Sequence, residues 1–118
     1  MSKVKVLNNC FQLFLPLTIF ENNQVRMLNN NEIKYKNNVI DKIADKFGGV
    51  TLEHKEGKYK RAEGIVDTNN EVVTVYTDNY SEAFDFLEEI IYDIKHTLHQ
   101  DSVAIIAKGS NTDSMLLM

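Results

Sequence analysis

The chain has 118 residues, 43% of them apolar and 25% charged, with a formal net charge of −4 and a pI near 5.3. That is one domain's worth of chain, long enough to bury a core without disulfides or metal. An acidic balance disfavours general binding to a phosphate backbone, which relies on clustered Lys and Arg. One cysteine, Cys10, makes no internal disulfide and so gives no mark of secretion; a small apolar filler is its simplest reading.

Residues 1–9 read as a flexible N-terminus. Lys3 and Lys5 followed by the apolar run from Phe11 to Phe20 superficially resemble a signal peptide. Gln12 and Pro16 interrupt the run, no small-x-small cleavage site follows, and the run is far short of the ~20 residues of a membrane span. A cytoplasmic protein without membrane contact is expected.

Residues 10–20 read as the first strand. Phe11, Leu13, Leu15, Leu17 and Ile19 share one face, and Cys10, Gln12, Phe14, Pro16, Thr18 and Phe20 the other. A wholly apolar face opposite a mixed one suits a sheet covered by helices on one side. Pro16, lacking an N–H, points to an edge or a bulge. Residues 21–31 read as a long polar loop, with Asn31 as the N-cap of the first helix. Paired asparagines such as Asn22-Asn23 and Asn69-Asn70 read only as the stamp of an AT-rich genome, a bacterium's or its phage's.

Ile33, Ile40, Ile43, Ala44 and Phe47 recur at helical spacing, and Gly48-Gly49 follows at once. Glycine is the usual residue just past a helix end, so this pair is first of all a C-cap and a tight connection into a strand from Val50 to His54. A sharper reading makes it one wall of a small-ligand or minor-enzyme site with Thr51, Glu53, Tyr59 and Arg61. Neither G-x-G-x-x-G nor G-x-x-x-x-G-K-[ST] is present.

Lys55-Glu56-Gly57-Lys58 reads as a hairpin turn, residues 59–67 as an extended segment kinked at Gly64, and Thr68-Asn69-Asn70 as another turn. Lys55, Lys58, Lys60 and Arg61 could meet an anion or nucleic acid, although basic hairpins are more often solvated edges that discourage aggregation. Glu71 to Thr77 alternates as a clear strand. Asn79 and Glu82 have capping-box spacing at the head of a second helix running to about Gln100, striped by Ala83, Phe84, Leu87, Ile90, Ile91, Ile94 and Leu98. Glu89, Asp93 and His96 share a face of that helix, but without H-E-x-x-H they read as a solvated face and no metal is expected. Residues 102–107 read as the last strand of a single α+β domain spanning 10–108, and 109–118 as a flexible C-terminal tail.

The order β-α-β-β-α-β is the ferredoxin-like arrangement, an antiparallel sheet with both helices on one face. Its open face would carry Phe14, Phe20, Tyr76 and Ile106, an interface awaiting a cover. No RNA-recognition signature, G-x-S-x-G or C-x-x-C occurs, and no cofactor is implied.

Phe47-Gly48-Gly49-Val50-Thr51, Gly57-Lys58-Tyr59, Gly64-Ile65-Val66-Asp67 and Gln100-Asp101-Ser102-Val103 together resemble a family of small uncharacterised bacterial and phage proteins with an FGG-x-T … G-x-aromatic … G … Q-D/E-S/A-V layout. The family often has Trp where this chain has Tyr59. The resemblance covers residues 10–107 and implies a small α+β domain found on phage genomes and mobile elements, with no catalytic role to carry over. The reading that follows is a non-enzymatic protein modulating a host system through a protein partner or self-association as a homodimer. A ligand site at the Gly48-Gly49 turn is the alternative, and nucleic-acid binding the weaker one.

Overall fold

The computed structural model describes residues 7–62, 64–109 and 113–118; the side chains of Tyr59, Arg61 and Asp113 lie outside the described part. The flexible N-terminus expected over residues 1–9 therefore falls mostly outside it. Along the chain run β1 (Asn9–Pro16), β2 (Thr18–Glu21), β3 (Gln24–Met27), α1 (Asn30–Phe47), β4 (Thr51–Arg61), β5 (Gly64–Thr77), α2 (Tyr80–Thr97), β6 (Ala104–Lys108) and β7 (Asp113–Leu117). The fold is α+β. Five strands form an antiparallel sheet in the order β4-β5-β1-β6-β7, and β2-β3 form a separate ribbon.

Alternation along β1 sends Phe11, Leu13 and Leu15 into the core, where they meet Val73 and Val75 of β5 and Ile105 and Ala107 of β6. Val39, Ile40 and Ile43 of α1, and Leu87, Ile90, Ile91 and Ile94 of α2, cover that same face. Fully burying a side chain of this size contributes about 1.5–3 kcal/mol, so this one layer dominates stability. Ile33, expected in the helical stripe, is exposed, and Val39 is buried in the core instead.

Helix α1 starts earlier than the sequence reading placed it. Asn29, not Asn31, is the N-cap: its Oδ1 accepts from Glu32 N at 2.9 Å, and Glu32 Oε1 accepts from Asn29 N at 2.8 Å. Glu32 stands three residues after Asn29, which is the spacing a capping box requires. Gly48 ends the helix in the left-handed region at φ 80°. Asn79 caps α2, its Oδ1 accepting from Glu82 N at 3.1 Å.

Four further expectations are corrected by the structure. The single strand over 10–20 breaks at Leu17, so Pro16 ends a central strand and removes no ladder bond within it. The loop over 21–31 is a hairpin: Asn22 and Asn23 both take positive φ, 54° and 60°, as a two-residue type I′ turn demands. The turns placed at 55–58 and 68–70 are absent, because β4 and β5 pair without a break from Thr51↔Thr74 to Arg61↔Gly64. Gly57 is in the ladder opposite Thr68, and a Cβ there would come within 3.1 Å of Thr68 Oγ1; Gly64, at φ 132°, belongs to the reversal. Finally, the tail contains β7, paired with β6 from Ala104↔Leu117 to Lys108↔Asp113 and closed by Met118 N donating to Val103 O at 3.0 Å. With β7 and the ribbon, the described residues form seven strands where four were expected.

Candidate functional site

Strand β1 ends at Pro16, opposite Asn70, while β5 continues back to Gly64. The β4–β5 hairpin therefore projects beyond its strand neighbour and draws the molecule out to 58 × 30 × 22 Å. The space beside the projecting part is a cleft of about 340 Å³, within the range of small-molecule sites.

Three structural groups build its walls. The hairpin supplies Gly57, Lys58, Val66, Asp67 and Thr68; β1 and the ribbon supply Phe14, Thr18, Phe20 and Val25; the segment after α2 and the C-terminal strands supply His99 to Ala104, Met115 and Leu117. Gly57 leaves room here for the Thr68 hydroxyl. Apolar and aromatic surface faces a smaller set of polar groups, the composition of a pocket for an amphipathic ligand. The charged groups are Asp67 and Asp101 against Lys58.

Lys58 and Asp67 stand directly opposite each other on β4 and β5, and Lys58 Nζ donates to Asp67 Oδ1 at 2.6 Å. That bond pushes the Lys58 ammonium pKa up. His99 occupies the left-handed region at φ 52°, just past the end of α2, while Gln100 N donates to Lys95 O at 3.1 Å. The bond pattern is a Schellman ending, in which glycine is the usual left-handed residue. The ribbon is fixed by Ile19, fully buried in the core, and by Arg26. Arg26 Nη1 and Nη2 donate to the two carboxylate oxygens of Glu32 at 2.7 and 3.0 Å, and Nε donates to Glu21 at 3.0 Å. Its guanidinium holds the Glu32 carboxyl below the usual carboxylate range and ties the ribbon to the first turn of α1.

The residues singled out from sequence are only partly gathered. Phe14 and Phe20 line the cleft; Tyr76 and Ile106 lie on the same sheet face away from it, with Tyr76 54% exposed. Gly48 and Gly49 flank open space at the far end of β4. The stretch from Thr51 to Gly57 separates them from the cleft by about 20 Å at ~3.3 Å per residue. Thr51 and Glu53 pair with Thr74 and Val72 on the open face, Tyr59 and Arg61 with Val66 and Gly64 at the hairpin end, so these six do not surround one concavity. The basic residues also divide, Lys55 on one face of β4 and Lys58 and Lys60 on the other. On α2, Asp93 accepts from the Tyr35 hydroxyl and His96 packs edge-on against Tyr92 at 4.6 Å. No group of three metal-ligating side chains occurs among the described residues, and no described helix is long and apolar enough to cross a membrane.

Sequence reasoning missed His99, Asp67 and Met115 as neighbours, because they come from three segments joined only by the projecting hairpin and β7. The available signal was the pair of segments Gly57-Lys58 and Gln100–Val103, singled out above as parts of one spaced pattern; both line the cleft.

No protein-family model and no curated protein matches the sequence. Among solved structures, the fold is similar to a phage SAM lyase in complex with S-methyl-5'-thioadenosine, with a TM-score of 0.69 and 10% identity, over 100% of this chain and 95% of that one. A phage SAM lyase in its apo state gives a TM-score of 0.68 at 10% identity over the same shares. The reading of a non-enzymatic protein that modulates a host through protein contacts is corrected by this match, since the whole described fold is one that a phage enzyme uses.

Proposed function

We propose that the chain binds an adenosyl thioether or sulfonium in this cleft and is a lyase acting on S-adenosylmethionine. The observation that carries the reading is the full-length likeness of fold to a SAM lyase, together with a cleft of suitable size and lining. The core β1-α1-β4-β5-α2-β6 is read as ferredoxin-like, with the ribbon and β7 added to wall the cleft.

The chemistry is consistent with what this chain offers. Cleaving the bond between the sulfonium sulfur and the γ-carbon of the amino-acid chain leaves the electron pair on sulfur, giving neutral S-methyl-5'-thioadenosine. Without water, the carbon fragment either closes on its own carboxylate or loses a β-proton. Neither course needs a protein nucleophile, which agrees with a sequence that has no G-x-S-x-G or C-x-x-C motif. Phe14, Phe20 and Val66 provide apolar surface for the purine and thioether. Asp67 and Asp101 outnumber Lys58, a sign of charge that attracts a sulfonium and loses its hold once sulfur becomes neutral. Apolar surface beside the sulfonium favours cleavage because charge is dispersed as the sulfonium is lost.

The test is incubation of the purified protein with S-adenosylmethionine and chromatography of the nucleosides. Accumulation of S-methyl-5'-thioadenosine beyond the spontaneous rate supports the reading. Absence of both turnover and any thermal stabilisation by either nucleoside refutes it.

A further inference from the structure

Past Pro16 the β4–β5 hairpin loses its β1 neighbour, yet its two faces are not equally bare. Ile65 on the helix-side face is 71% exposed, whereas Val66, Thr68 and Asn70 on the opposite face are half-buried and line the cleft. Gly57 shares that face, directly opposite Thr68. Unlike Gly48, Gly49 and Gly64, it does not take positive φ, so the ladder itself does not demand glycine. A Cβ on it would meet the Thr68 hydroxyl at 3.1 Å and nothing else within 4 Å. Glycine inside a strand often marks a close approach by a ligand or another backbone. Here it leaves a patch of bare backbone on the cleft floor.

Asn70 stands one side-chain row from that patch, about 7 Å along β5, and Phe14 occupies the following row on β1. The side-chain hydrogen bonds at this end join Lys58 to Asp67 and Gln100 to the Leu98 carbonyl, and they leave the Asn70 amide to a ligand. A carboxamide offers an acceptor and a donor side by side. A 6-aminopurine presents the complement, an N6 donor beside the N7 acceptor, while a 6-oxopurine presents two acceptors on the same edge. We propose that Asn70 is the specificity-determining residue for the purine of the ligand: its Oδ1 accepts from the 6-amino group, its Nδ2 donates to N7, and the ring lies over the Gly57 backbone. The inference rests on the nucleoside reading above and adds which end of the ligand faces the hairpin.

The experiment compares two stable nucleosides by calorimetric titration: S-methyl-5'-thioadenosine and S-methyl-5'-thioinosine, which differ only in the 6-amino or 6-oxo group. Wild type should bind the amino nucleoside about tenfold more tightly, the scale of one bidentate base contact. Asn70→Ala should remove most of that preference and leave affinity for the oxo nucleoside within about twofold. Asn70→Asp keeps the shape of the side chain but turns the N7-facing donor into an acceptor, so it too should weaken the amino nucleoside. Gly57→Ala acts on the face of the ring and not its edge, so it should weaken both nucleosides alike, with melting curves confirming the fold of each variant. Equal binding of the two nucleosides by wild type, or equal losses for both in Asn70→Ala, overturns the edge contact and leaves nucleoside binding standing. Unchanged affinities in Gly57→Ala overturn the seat over the backbone. Binding of neither nucleoside to wild type overturns the nucleoside reading and the inference with it.

Discussion

His99 offers a test in which stability and binding should move in opposite directions. The perturbation is His99→Gly. A left-handed non-glycine residue costs of order 1–3 kcal/mol, with histidine at the low end because it tolerates this region better than most. Glycine would relieve that cost and return ~0.5 kcal/mol through the larger entropy of its unfolded chain. The net stabilisation is about 0.5–1 kcal/mol. With ~2.1 cal/mol/K of unfolding entropy per residue over 118 residues, the melting temperature should rise by about 2–4 °C. The same change strips an exposed side chain from the cleft wall, so affinity for S-methyl-5'-thioadenosine should fall. Scanning calorimetry and titration of one variant give both numbers. A lower melting temperature would refute the claim that the backbone is strained at His99, and unchanged affinity would remove His99 from the binding wall.

Three other perturbations follow from the packing. Ile19→Ala empties a fully buried site under the ribbon and should cost about 2–5 kcal/mol, read by denaturant unfolding, with a parallel loss of nucleoside affinity because Phe20 and Val25 ride on the same ribbon. Removing residues 113–118 uncovers β6 and takes away the partly buried Leu116 and Met118 as well as Met115 and Leu117 of the cleft. A loss of about 2–4 kcal/mol is expected, and an unchanged melting temperature would show that β7 contributes nothing. Burial first, and then the bond to Asp93, push Tyr35 up to about 12 from 10.0. Because the folded value is the higher one, its contribution is fully present below pH 10 and is lost as pH rises through 12. The alkaline titration of phenolate absorbance should therefore lose an ionisation near pH 12 in Tyr35→Phe.

The helices were legible because their signals are local. Asn79 with Glu82, and Gly48 after Phe47, are sufficient in themselves to mark a helix start and a helix end. The turns were not, because one residue type serves two physical ends. Gly57 and Gly64 look alike in sequence, yet Gly57 answers a close cross-strand approach by Thr68 and Gly64 a reversal at φ 132°. Asn22-Asn23 looked like composition and proved to be a turn requiring two positive φ angles. Reading Gly57 as a turn shortened the hairpin, and a short hairpin has no cleft beside it. Hence Phe14 and Phe20 could be recognised as needing a cover, while Asp67, His99 and Met115, which share the cleft with them, stayed invisible until the pairing of β4 with β5 was known. The proposed ligand site moved from one end of β4 to the other for the same reason.

The most direct measurement is the fate of S-adenosylmethionine in the presence of the wild-type protein, followed by chromatography against a protein-free control. The account predicts steady accumulation of S-methyl-5'-thioadenosine, slowed in Ile19→Ala. Unchanged S-adenosylmethionine, with no shift in melting temperature on adding either nucleoside, would contradict it and leave the likeness to the phage lyase as one of fold alone.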